Sequence, residues 1–166
     1  MTHFFSITLF PLLMIVAGAG DALAMRIPNW LTILIAVAFF PMAVMTAMPL
    51  ATFGLHLAIA FGLFVVGFLL FSFGLFGGGD AKLLAAAGLW FGWPAIGHFL
   101  SMTILAGGLL SLTVAAWSLY NIGSEIKERS FLKRLRMIKP NVPYGYAFAI
   151  GAILAFPQSW PMQVAG

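Results

Sequence analysis

The sequence predicts an all-α, polytopic membrane protein with six transmembrane helices and both termini on the non-cytoplasmic side. Three observations carry this expectation. Of the 166 residues, 63% are hydrophobic and 7% charged, whereas a soluble domain carries about 25% charged residues; a water-soluble fold cannot hide so much apolar surface. Six segments approach the roughly 20 apolar residues a bilayer span requires: 4–23, 30–48, 51–73, 83–99, 102–120 and 144–160. The eight Lys and Arg side chains fall in alternate connections between these segments, and such cations concentrate in cytoplasmic loops.

The first segment ends in Ala22-Leu23-Ala24, which resembles a signal-peptide cleavage site. A signal peptide begins with a basic region, and no Lys or Arg precedes Arg26, so the segment reads as a retained span. Asp21 lies near its end among the small residues Gly18, Gly20 and Ala22, where neighbouring helices can come close. Arg26-Ile27-Pro28-Asn29 then breaks the chain: Pro28 disfavours helix at Ile27 and suits the start of the next helix.

The turn Met48-Pro49-Leu50 joins the second and third segments, and Phe76-Gly77-Gly78-Gly79-Asp80-Ala81-Lys82 joins the third to the fourth. Gly92, Pro94 and Gly97 interrupt the fourth. Gly74, Gly78, Gly88 and Gly92 give small-xxx-small spacings that read as close helix packing. Between the fifth and sixth segments lies the longest polar stretch, 123–143, with Lys127, Arg129, Lys133, Arg134, Arg136 and Lys139. It is too short to hold a core, and its cations set orientation and meet anionic lipid. Residues 1–166 therefore read as one integral-membrane domain with no separate soluble domain.

The absence of cysteine excludes disulfides, cysteine-ligated zinc and thiol nucleophiles. The net charge of +4 reflects loop cations rather than a nucleic-acid surface. His3, His56 and His98 are scattered without ligand spacing and read as packing or interfacial residues, so no metal and no cofactor is expected.

Only four residues are acidic, and Glu125 and Glu128 fall in the polar loop. Asp21 and Asp80 stand beside hydrocarbon, where an ionisable group is costly and marks a functional site by default. The loop alternation returns both to the cytoplasmic membrane level. Two carboxylates that share a site cannot both ionise cheaply, which leaves one base to activate water and one acid to polarise a carbonyl. Gly77 and Gly79 would shape the loop before Asp80: glycine has no Cβ, tolerates positive φ and lets backbone approach a substrate. Lys82, Arg26 and Asn29 are candidates to surround the pair. Plainer roles exist, with Asp80 as a helix cap and Asp21 as the ion-pair partner of Arg26. A transporter or proton relay could use the same carboxylates, but such proteins show internal repeats and helices broken at the midplane, and no repeat is evident here. A non-catalytic assembly scaffold is a third possibility.

Gly77-x-Gly79-Asp80 followed by Ala81-Lys82 resembles the GxGD motif of the type IV prepilin peptidases. Asp21, followed after five residues by Ile27-Pro28-Asn29, resembles that family's first-aspartate region. Val142-Pro143-Tyr144-Gly145 resembles the opening of its final span. Three motifs in order at one membrane face, over nearly the whole chain, make the resemblance specific. It implies an intramembrane aspartyl protease that removes a short basic leader from pilin precursors at the cytoplasmic face of the bacterial inner membrane, with Asp21 and Asp80 as catalytic residues. Larger members carry a cysteine-containing insert and N-methylate the product; this chain has neither insert nor cysteine, so no methyltransferase domain is expected. The short form most resembles the Flp/Tad-pilus (CpaA/TadV-like) enzymes, whose partner is an Flp-type prepilin in the lipid bilayer. Presenilin and signal peptide peptidase relatives share GxGD but have more spans and a Pro-Ala-Leu motif absent here.

Overall fold

A computed structural model describes residues 2–125 and 144–165. These residues are helical throughout apart from short turns, in the order α1 (Thr2–Ala24), α2 (Asn29–Met45), α3 (Leu50–Ser72), α4 (Gly78–Glu125), α5 (Tyr144–Ala155), a 3-10 turn (Phe156–Gln158) and α6 (Trp160–Ala165). The basic run from Lys127 to Lys139, Glu128, and Val142-Pro143 lie outside the described residues.

Among the described residues, three helices can cross a bilayer by length and composition: Ile7–Ala24, Leu50–Ser72 and Gly78–Ser118. α2 is apolar but has 17 residues. α3 is the plainest membrane helix. Of its 23 residues only His56 and Gly67 are buried, and Phe61, Phe64, Phe68 and Phe71 are all exposed. In water such a face would be an association liability; in lipid it needs no cover. The chain is thus a membrane protein, all-helical among the described residues.

The structure moves one expected boundary. Sequence pattern divides the fourth and fifth segments near Leu100-Ser101, but those residues lie inside the second arm of α4. The interruption falls instead at Gly92, with φ 64° and ψ −176°. Glycine reaches this conformation without the steric cost a Cβ brings, and Pro94 follows in the first turn of the next arm, where its missing N–H has no helical partner to lose. A carbonyl one turn before such a break loses its in-helix donor. The His56 ring of α3 supplies one, its Nδ1 donating to the Leu89 carbonyl, so the buried histidine is a packing residue.

The first arm of α4, residues 78–91, is the axle of the fold. Leu83, Leu84, Ala86, Ala87, Leu89, Trp90 and Phe91 are all buried, the pattern of a helix enclosed by others. Phe10 of α1 stacks on Trp90 at 4.8 Å between ring centroids, and Trp90 Nε1 donates to the Ile35 carbonyl of α2 at 3.0 Å. Close approach fixes the helix spacing. A Cβ on Gly67 of α3 would stand 2.9 Å from Ala81 Cα, and one on Gly18 of α1 would stand 2.6 Å from Ala149 Cβ of α5. Of the small-xxx-small glycines, Gly88 meets Leu63, whereas Gly74 faces open space and serves a turn with φ 71°.

Candidate active site

Asp21 sits one turn before the end of α1. Its carbonyl accepts the N–H of Met25 at 2.8 Å, and Met25 turns the chain out of the helix with φ 51°. A left-handed non-glycine residue is uncommon and carries strain that the surrounding fold must hold. The break thus begins three residues before Pro28, which occupies the N-cap of α2 rather than its first turn. Asp80 lies in the first turn of α4, which starts at Gly78, so two of the three glycines are already helical. The Gly77 N–H donates to Asp80 Oδ2 at 3.1 Å. This is the return half of a capping box: a side chain three residues into the helix satisfies the N-cap amide.

The architecture brings both carboxyl groups to one cavity of about 540 Å³, lined by Asp21, Asp80, Gly77, Gly78, Gly79 and the 25–29 connection. Asp21 is 6% and Asp80 8% exposed. Arg26 and Asn29 line the same cavity. Among the described residues Arg26 makes no ion pair with Asp21. Lys82 is placed elsewhere: its Nζ donates to Asn29 Oδ1 at 2.9 Å, tying the start of α2 to α4 instead of reaching Asp80.

The glycines act otherwise than their sequence suggests. Gly77, Gly78 and Gly79 all have negative φ, since the positive-φ glycines are Gly74 and Gly92. What the site requires is the missing Cβ. One on Gly77 would stand 2.9 Å from Asp80 Oδ2, and one on Gly79 would stand 3.1 Å from Ile27 Cβ.

Sequence reasoning gave no site role to Gly145, Ile27 or Phe76. Gly145, near the N-terminus of α5, donates its N–H to Asp21 Oδ2 at 2.7 Å. Ile27 is buried between Gly79 and Gly145 and touches both. Phe76 fastens the glycine turn to α5 by stacking on Tyr144 at 5.5 Å. The Pro143-Tyr144-Gly145 motif was the available signal, but nothing local in it indicates a bond to a residue 124 positions away.

Chemically, the site offers two buried carboxyl groups beside a cavity large enough for a stretch of backbone, each held by the open amides of a helix N-terminus. Residues 8–112 match the model of the type IV leader peptidase family. No curated protein and no solved structure matches the chain.

Proposed function

This chain belongs to the type IV leader peptidase family, a family of proteases, and on that premise we propose that it is an intramembrane aspartyl endopeptidase that cuts the short basic leader from Flp-type prepilins at the cytoplasmic face of the bacterial inner membrane. The observation that carries the reading is the meeting of Asp21 and Asp80 at one cavity. One carboxylate takes a proton from the attacking water while the other, protonated, donates to the scissile carbonyl oxygen. Gly77, Gly78 and Gly79 leave the wall beside Asp80 without side chains, so an extended substrate backbone can approach it. Leader removal needs neither a metal nor a thiol in this scheme, and residues 1–166 act as one membrane domain.

Purified protein in detergent, mixed with an Flp-type prepilin, is expected to release the leader at a single bond, with chelator and alkylating agent present throughout. Loss of cleavage on chelation, restored by added metal, overturns the dyad mechanism. Intact precursor under all conditions overturns the substrate assignment.

Six spans with both termini outside the cytoplasm accompany this reading. The loop cations support it, because Arg26 and Lys82 gather at the end of the bundle that holds the site. The chain has no cysteine, so single cysteines report cleanly. A cysteine at position 3 is expected to react with impermeant reagent from the periplasmic side, and one replacing Arg26 only from the cytoplasmic side. Labelling of position 3 from the cytoplasm alone reverses the orientation.

A further inference from the structure

Each candidate carboxylate is held by a helix N-terminus, but in different ways. Asp80 is bonded by the amide that precedes its own helix. Asp21, at the C-terminal end of α1, is bonded by α5, which lies outside the matched residues 8–112. The first amides of a helix have no partner within it and favour a negative or hydrogen-bond-accepting group. At α5 that group is the side chain of Asp21. The fit depends on the absence of a side chain at position 145: a Cβ there would stand 2.9 Å from both Asp21 Cβ and Oδ2, and 2.7 Å from Ile27 Cδ1.

We infer that Gly145 is a positioning residue that seats the Asp21 carboxylate for catalysis, through its own N–H and through the space its missing Cβ leaves. The inference rests on the peptidase reading above. The orientation of Asp21 therefore depends on the docking of α5, and α5 belongs to the catalytic apparatus as much as the aspartate-bearing helices do. Phe76 stacks on Tyr144 and meets Phe148 edge-on at 6.0 Å, so the same helix also braces the turn before Asp80. One element thus sets the position of both carboxyl groups.

A merely structural role makes a different prediction, because the added Cβ also strikes Ile27. Gly145→Ala is expected to lower kcat about a hundredfold, the cost of a displacement near 1 Å at a reacting group, with KM within about twofold of the parent's. Ile27→Val deletes the methyl group that the new Cβ meets. In Gly145→Ala/Ile27→Val, thermal stability should recover and kcat should not. Recovery of kcat in the double variant, or parental kcat in Gly145→Ala, assigns Gly145 to packing and overturns the inference. Hydrogen exchange gives a readout independent of activity and of the fate of the Gly145 variants. The Gly145 amide bonds Asp21 Oδ2, so its protection should be lost in Asp21→Ala and kept in Asp80→Ala. Unchanged protection in Asp21→Ala overturns the inference even if the protein cleaves prepilins. Lost protection in a protein that cleaves none leaves the seating intact and removes the peptidase reading alone.

Discussion

Asp21→Asn and Asp80→Asn are each expected to lower prepilin cleavage by about 10³-fold or more, the scale on which a hydrolase loses a member of its catalytic unit. Asn has nearly the size of Asp, so neither change opens a cavity in the packed surroundings. Both structural bonds also survive, because an amide oxygen can accept the Gly145 N–H at position 21 and the Gly77 N–H at position 80. What an amide cannot do is take a proton from water or give one to a carbonyl. The variants should therefore insert, purify and unfold as the parent does while turnover disappears. Residues that act as one unit lose activity non-additively, so the double variant should be no worse than either single one. The capping bond at Asp80 makes the rival prediction specific. If that bond were the whole role of the side chain, Asp80→Asn would be nearly neutral, since Asn caps about as well as Asp. Parental turnover in Asp80→Asn would remove the protease reading.

Gly79→Val is expected to reduce cleavage about a hundredfold or more while leaving the protein in the membrane. The first added carbon already stands 3.1 Å from Ile27 Cβ, and the two methyl groups of valine cannot all turn away from a neighbour buried between helices. Ile27 must move or the start of α4 must tilt, and either shifts Asp80 relative to Asp21. Displacements near 1 Å cost about that factor. Because the collision is with one named side chain, Ile27→Ala placed beside Gly79→Val should return part of the activity. Full turnover in Gly79→Val alone would reduce the glycine run to an ordinary turn. Failure of Ile27→Ala to help would place the obstruction on the substrate side of the cavity.

Much of this molecule was legible because hydropathy and charge are local properties. A run of about 20 apolar residues marks a helix in lipid wherever its neighbours lie, which is why the starts of α1, α2, α3 and α5 fall within two residues of their expected places. An unshielded carboxylate beside such a run stands out as costly, which singled out Asp21 and Asp80. The alternation of cations then placed both at one end. The division of the fourth from the fifth segment is less legible, because hydropathy does not register a break within apolar sequence: Gly92, Pro94 and Gly97 mark an interruption, and φ 64° at Gly92, with His56 bonded to the Leu89 carbonyl, decides its place.

Only the tertiary structure decided what holds the two carboxyl groups. Lys82 is adjacent to Asp80 in the chain yet bonds Asn29, because its position on α4 faces the start of α2. The glycines before Asp80 look like a left-handed turn, but their φ values are negative and their use is to leave room for Ile27 and the Asp80 side chain. Gly145 carries no local sign of its bond to Asp21. Each of these depends on which helix faces which, and that is settled by side chains interlocking across the bundle rather than by periodicity along any one segment.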